Sequence, residues 1–183
     1  KTSNNLNNTA VGAYALTLTS SGNNNTAVGS SALNRNTFGS NNTSMGLSSL
    51  YFCTSGNYNT AMGYNALYVS GTNHNNTAVG AYSLYNNSGG GNNTAIGYQA
   101  GNVITSGADN IFIGSAANGA DTLSSQIAIG KGVVCDAASQ LRIGSSDIYL
   151  SYDFSASSGG SATITSDERM KKDVKDTTLG LNF

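Results

Sequence analysis

The segment Asn25-Thr-Ala-Val-Gly29 recurs 17 residues later as Asn42-Thr-Ser-Met-Gly46. The motif is present in nine copies, seven spaced by 17 residues and the last two by 16 and 14. A fixed period of this length indicates an architecture that stacks one structural unit many times. The motif glycines are Gly12, Gly29, Gly46, Gly63, Gly80, Gly97, Gly114, Gly130 and Gly144.

Each copy carries a pattern of period two. The residue before the glycine is apolar in all nine copies, and the residue two positions earlier is threonine in the first six and isoleucine or leucine in the last three. A mostly small residue separates them. This alternation predicts a short β-strand. A second apolar anchor follows four residues after the glycine, at Leu16, Leu33, Leu50, Leu67 and Leu84.

Glycine and asparagine fill the rest of each copy, and both disfavour helix interiors but suit turns. The chain contains 23 glycines, 25 asparagines and no proline, so every residue can donate a backbone hydrogen bond. A unit of 17 residues cannot bury a core alone, and its copies must stack. The predicted fold is therefore all-β, a parallel β-roll or β-solenoid of about 17-residue rungs. Asparagines one rung apart are expected to form amide ladders.

Each rung supplies only two or three apolar side chains. One flat face and the small-residue positions are therefore expected to be covered by other chains packed around an axis. Two cysteines, Cys53 and Cys135, lie five rungs apart, roughly 24 Å at the usual strand spacing, so an intrachain disulfide is excluded.

Charge excludes several functions. Only 9% of residues are charged and the net charge is −1, which gives no electrostatic basis for binding nucleic acid or an acidic membrane. No apolar run reaches the roughly 18 residues needed to span a bilayer, so membrane insertion is not expected. No histidine or cysteine pair has metal-ligand spacing, and neither a metal nor a cofactor is predicted.

The unit Asn-Thr-Ala-Val-Gly-x-x-Ala-Leu, and above all Gln126-Ile-Ala-Ile-Gly130, resembles the head repeats of trimeric autotransporter adhesins. The resemblance covers roughly residues 5–150 and implies a left-handed parallel β-roll with three chains around one axis. Those heads usually repeat at a shorter period than most copies here. The extra residues are expected to enlarge an outer turn.

A small-residue stretch within residues 151–164 is predicted to link the roll, residues 1–150, to a charged C-terminal segment. Residues 167–176 hold eight of the seventeen charged residues. The segment from Thr165 resembles the start of the self-cleaving intramolecular chaperone, an S74 peptidase, of phage tail fibres and spikes. The resemblance implies that residues 165–183 begin this domain, truncated, and that it drives trimerisation and is then cut off.

In that chaperone family a Ser–Lys dyad performs the cleavage. Carried over by position, Ser166 is the nucleophile, Lys171 its general base, and Thr165–Ser166 the bond that is cut. A lysine whose pKa is lowered by burial can take the serine proton. The alternative is structural: Thr165 or Ser166 caps a short charged helix, with Thr165 and Glu168 forming a capping box.

Other candidate groups have simpler interpretations. The single histidine, His74, is predicted to lie in a solvated outer turn, and Gly89-Gly-Gly91 is predicted to be a turn because no lysine or helix start follows it. The tyrosines near the leucine anchor are expected to pack between rungs, with glycan contact as the alternative. Three acids precede strands, and turn capping is favoured over an ion ring in a trimer: Asp109, Asp121 and Asp136.

The sequence thus predicts a homotrimeric, extracellular fibre segment of the phage tail-fibre or tail-spike type, located on a virion tail or a bacterial cell surface. It leaves open a cell-surface glycan or protein as receptor. A bacterial surface adhesin head is the alternative. A polysaccharide-degrading spike is disfavoured, because glycosidases use a pair of carboxylates and the chain has no acidic residue before Asp109.

Overall fold

The computed structural model describes residues 7–154 and 162–165. Its strands are short, eight of them only three residues long. They are β1 (Thr9–Val11), β2 (Thr26–Val28), β3 (Thr43–Met45), β4 (Thr60–Met62), β5 (Thr77–Val79), β6 (Thr94–Ile96), β7 (Ile111–Ile113), β8 (Ile127–Ile129), β9 (Gln140–Gly144), β10 (Tyr149–Asp153) and β11 (Ala162–Thr165).

The strands form one sheet in sequence order, and β1 to β9 are parallel. Each residue pairs with its equivalent in the next copy, as Ala27 does with Ser44. The predicted parallel β-solenoid of about 17-residue rungs is therefore confirmed. We call each repeat, from its first Asn or Gln onward, a rung, and the equivalent residues of successive rungs a column.

The solenoid turns its corners with left-handed backbone. The five anchor leucines have φ between 47° and 51°, which is unusual for a bulky residue. All four that lie in the buried core, from Leu33 to Leu84, are completely inaccessible to solvent. The motif glycine also requires its lack of a side chain: a Cβ on Gly46 would lie 2.5 Å from the carbonyl oxygen of Gly63.

The small residue of strands β2 to β6 and of β8 points into the coil. Ala27, Ala61 and Ala78 are fully buried, whereas the apolar residue before the glycine lies on the outer face. The expectation that neighbouring chains cover the small-residue positions is therefore wrong. A coil one chain wide leaves room inside for an alanine beside the leucine anchor, and the larger strand residue must face outward.

Buried asparagines form the predicted amide ladder at the start of each rung. The amide nitrogen of Asn42 donates to the Gly56 carbonyl, 2.7 Å away, at the far end of the same rung. Its amide oxygen accepts the backbone N–H of Asn59 in the next rung, at 2.9 Å. The ladder joins Asn8, Asn25, Asn42, Asn59, Asn76, Asn93, Asn110 and Gln126.

Two residues depart from the repeat in opposite directions, one smaller and one larger than usual, and together they keep the core filled. Gly101 stands where earlier rungs have leucine, and Phe112 stands in the next strand where they have alanine. A Cβ on Gly101 would lie 2.8 Å from the Phe112 ring and from the Leu84 side chain. The fully buried phenylalanine therefore fills the volume that the missing leucine leaves.

The parallel coil ends at β9, where the chain reverses. Strand β10 runs antiparallel to β9, and β11 runs antiparallel to β10. Arg142 of β9 forms an ion pair with Asp136 at 2.7 Å and lies over the Tyr149 ring. Burial raises the pKa of the Asp136 carboxyl, but the hydrogen bond and charge of Arg142 outweigh it, and the net shift is downward.

The predicted linker, residues 151–164, overlaps β10 at one end and β11 at the other, and residues 155–161 lie outside the described part of the chain. Its role as a domain boundary stays a prediction. The predicted charged helix start also lies outside the described residues, none of which is helical. Within the described ranges no helix has the length and apolar character to cross a bilayer.

Replacing Asn42 with alanine should lower the free energy of unfolding by about 2–4 kcal/mol, because the Gly56 carbonyl and the Asn59 N–H both lose their partner inside the coil. Urea unfolding at fixed protein concentration measures the change. The matched control is Asn86→Ala, whose exposed amide donates only to the Asn102 carbonyl, with an expected loss of about 0.5 kcal/mol or less. Equal losses would contradict a stabilising role for the ladder.

Candidate functional site

The two residues of the predicted Ser–Lys dyad, Ser166 and Lys171, lie outside the described residues. Their geometry, and the alternative capping role of Glu168, stay predictions. Thr165 lies on the N-terminal side of the predicted cleavage bond. It is the last residue of β11, and its backbone pairs with Tyr149 of β10.

The outer face of the sheet carries a continuous apolar column, which we call the strand stripe. Parallel pairing without register shifts aligns its nine residues along the coil. Six of them are more than a third exposed, and the other three are half-buried. The stripe consists of Val11, Val28, Met45, Met62, Val79, Ile96, Ile113, Ile129 and Ile143.

Tyrosine rings pack between rungs on one flank, as the sequence predicts. Tyr68 stacks on Tyr51 at 5.4 Å and on Tyr85 at 5.2 Å, with interplanar angles of 15° and 4°. We call these three residues the tyrosine ladder. Arg35 lies 4.9 Å from the Phe52 ring centroid, next to the ladder. Burial, followed by the neighbouring hydroxyls of Tyr85 and Tyr51, raises the pKa of Tyr68.

A second aromatic group meets the end of the ladder. Tyr82 contacts Tyr64 and Tyr98 edge to face, and its ring centroid lies 5.6 Å from that of Tyr85. A hydrogen bond with Tyr64, and then burial, raises the pKa of Tyr82. The faces of the ladder rings are thus largely occupied by one another, which leaves edges and hydroxyls toward solvent.

A surface recess of about 400 Å³ opens at the turn that precedes the strands of the fifth and sixth rungs. Its lining is polar and carries no charged side chain: Thr72, Asn73, His74, Asn75, Gly89, Gly91 and Asn92. We call it the Gly-rich recess. It is open because Gly89 and Gly91 lack the side chains that other rungs carry there, such as Ser55 and Asn57.

His74 is exposed, as predicted for an outer turn. Its Nδ1 accepts the backbone N–H of Asn57 at 2.9 Å, so the proton of the neutral ring lies on Nε2. The side chain continues a column in which each residue accepts from the preceding rung, as Asn57 does from the Ser40 N–H at 2.7 Å. The prediction that His74 lies in an outer turn is therefore confirmed. The recess is not visible in the sequence, because it exists only once the rungs are stacked.

Two of the acids that precede strands, Asp121 and Asp109, accept hydrogen bonds within the coil. Asp121 accepts the backbone N–H and hydroxyl of Thr105 at 2.8 and 2.6 Å, and Asp109 accepts from Asn92 at 3.0 Å. Within the described residues, no three His, Cys, Asp or Glu side chains are grouped to hold a metal ion. Both cysteines are free and buried, which confirms the prediction that they are unpaired. Burial raises the pKa of the Cys135 thiol to about 11.

Comparisons of the chain with family profiles, with curated proteins and with solved structures found no match. The likeness to adhesin heads and to the S74 chaperone therefore stays a prediction from sequence. The observed coil agrees with it at the level of fold: a parallel β-solenoid built from the repeats.

Replacing Tyr68 with alanine should lower the free energy of unfolding by about 1–3 kcal/mol, because two ring stacks of about 0.5–1.5 kcal/mol each are lost. Chemical denaturation provides the measurement. Phe38→Ala is the control, since that ring is largely exposed and its loss should cost less than about 1 kcal/mol. A Tyr68 variant as stable as the parent chain would show that the ladder does not hold rungs together.

Proposed function

We propose that the chain is a segment of a homotrimeric, extracellular fibre that attaches to a cell surface, of the phage tail-fibre or tail-spike type. The observation that carries the proposal is the strand stripe. Monomeric soluble proteins rarely expose a contiguous apolar patch this extended, and such patches mark interaction surfaces. Nine rungs at a spacing of ~4.8 Å make the stripe ~38 Å long.

The occupant we propose for the stripe is a second and a third copy of the same chain. The residues beside the stripe on the outer face are threonines in the first six rungs and Ile111, Ile127 and Leu141 in the last three. The strand residues of this face carry no charge from β1 to β8, and the apolar stripe continues along its whole length. Identical faces of several copies can meet around a common axis, and the resemblance to adhesin heads favours three chains.

The chain end supports the second part of the proposal, maturation by a self-cleaving chaperone. Thr165, which precedes the predicted cleavage bond, is the last residue of the hairpin strand β11. Cleavage at Thr165–Ser166 would leave the whole β9–β10–β11 unit on the fibre. The cut would therefore release the charged segment without removing a strand from the sheet.

A bacterial surface adhesin head is the second candidate. The coil itself favours it as much as a phage fibre, because the late rung starting at Gln126 has the adhesin-like unit and stacks in register on its neighbours. The two candidates share trimeric assembly and surface attachment. They differ in the charged segment after Thr165, whose likeness to the S74 chaperone favours the phage type.

Trimeric assembly predicts that the chain sediments at a mass near three times its 18.6 kDa. The double variant Met62→Lys/Ile96→Lys should shift it toward monomer, because lysines in a closed apolar interface would be desolvated without partners. Analytical ultracentrifugation measures the mass.

The matched control for assembly is Leu18→Lys/Val103→Lys, which changes two apolar residues of similar exposure that lie in a column away from the stripe. It should retain the parent mass. A parent chain that sediments as monomer would refute the proposed trimer, and an equal effect of both double variants would refute the stripe as its interface.

Self-cleavage predicts that the product of the complete gene yields a new N-terminus at Ser166, detected by intact-mass and N-terminal mass spectrometry. Ser166→Ala and Lys171→Ala should each abolish it, since one removes the nucleophile and the other its base. Lys172→Ala, at the adjacent lysine, is the control and should still be cut. Uncut parent protein would refute the protease assignment and leave the fibre proposal standing.

A further inference from the structure

The Gly-rich recess has the properties of a binding site for an uncharged polar ligand. Its volume of about 400 Å³ falls within the roughly 300–1,000 Å³ typical of ligand sites. No lysine or arginine lines it; the cations among the described residues are Arg35, Lys131 and Arg142. Asp109, which accepts from Asn92 of the lining, would repel an anionic ligand.

The hydrogen-bonding groups of the recess are fixed in direction and partly unused. Because Nδ1 of His74 is occupied by Asn57, Nε2–H remains as an outward donor. The Asn75 amide nitrogen donates to Asn92 at 3.1 Å, which fixes the orientation of that amide. Its oxygen is therefore presented as an acceptor beside a fixed donor.

Tyr58 explains why the Asn75 oxygen is unused. In this exposed column an amide normally donates to the next rung, as Asn24 does to Asn41 at 3.4 Å. In this column Tyr58 lies one rung before Asn75, and its side chain has no amide group that could donate to the Asn75 oxygen. The ring is 63% exposed, and unlike the rings of the tyrosine ladder it stacks on no aromatic ring of the described residues.

We propose that the Gly-rich recess binds a neutral oligosaccharide, with His74, Asn75 and Thr72 of its lining as hydrogen-bonding partners. Tyr58 is not part of the lining, but it lies one rung before Asn75 in the same column, and its exposed ring would be the stacking face beside the recess. Sugars present hydroxyl groups that both donate and accept, together with apolar C–H faces that pack on aromatic rings. A peptide fits less well because the lining offers no apolar pocket and no free strand edge. The inference rests on the proposed attachment function and names the receptor class.

The test uses the whole chain and defined probes. Uncharged hexasaccharides of glucose, galactose, mannose and N-acetylglucosamine are compared with the anionic hexagalacturonate and with an uncharged Ser/Gly/Asn hexapeptide. Saturation-transfer NMR identifies binders and calorimetry gives Kd. At least one neutral hexasaccharide should bind with a Kd below about 1 mM.

The deciding variant is Gly91→Asn. It fills the recess with asparagine, the residue that the column of Gly91 and His74 carries at Asn23 and Asn57. The added amide can accept the His74 backbone N–H in the way that Asn57 accepts from Ser40, so folding should be retained. Binding should weaken about tenfold or more. Tyr58→Ala should weaken it similarly, whereas the control Tyr14→Ala, an exposed tyrosine with the same left-handed backbone, should not.

Each outcome either supports or overturns sugar binding at the recess. Sedimentation of the same samples shows separately whether the chain assembles into trimers. Loss of binding in Gly91→Asn with an unchanged mass and melting temperature supports the recess. Failure of every neutral hexasaccharide to bind, tighter binding of hexagalacturonate or of the peptide, or unaltered binding in Gly91→Asn would overturn the proposal. So would a change of mass in Tyr58→Ala, which would make that ring part of the interface between copies. A monomeric parent chain that still binds sugar would refute the trimer and leave the recess intact.

Discussion

A coil only one chain wide must satisfy backbone polar groups at corners that no sheet neighbour reaches. Strands β1 to β8 are three residues long, so most of each 17-residue rung is turn. The buried asparagine meets this demand in two directions at once, joining both ends of its own rung and accepting from the next. No apolar side chain can take this role, and aspartate would bring an uncompensated buried charge. The buried asparagine therefore fixes the turn that closes each rung.

With the corner fixed, the interior has little width, and the sizes of the other side chains follow. Alanine or serine faces inward from the strand, leucine enters from the opposite turn in a left-handed conformation, and the larger strand residue must face out. The backbone strain at the four core leucines, Leu33, Leu50, Leu67 and Leu84, is offset by their complete burial. The apolar strand stripe is thus a consequence of a thin coil. The proposed assembly with further copies would remove the stripe from water without any change in the rungs.

The period of the sequence was sufficient to predict the stacking, the parallel order, the buried leucines and the asparagine ladder, because each depends on spacing alone. It was insufficient to predict which strand face turns inward. An alternating Thr-Ala-Val pattern permits either orientation, and the choice depends on the width of the coil, which the turns determine. The pairing of Gly101 with Phe112 was also missed: the two residues are 11 apart in sequence and meet only because successive rungs overlie.

The two candidate sites also differ in whether the sequence alone could predict them. The dyad at Ser166 and Lys171 was predicted from local sequence, and the recess could not be, because its walls come from two rungs. The recess and the residue beside it depart from the repeat: tyrosine replaces asparagine at Tyr58, histidine replaces asparagine or serine at His74, and glycine replaces larger residues at Gly89 and Gly91. The coil needs none of these changes, since neighbouring rungs stack without them.

In a structure whose stability comes from repetition, residues that interrupt a column without a compensating partner are the ones most free to serve binding. Gly101 is the opposite case, because its departure is matched by Phe112 inside the core. Internal compensation therefore separates departures that maintain packing from those, such as Tyr58, that leave polar groups and a ring face available to a ligand.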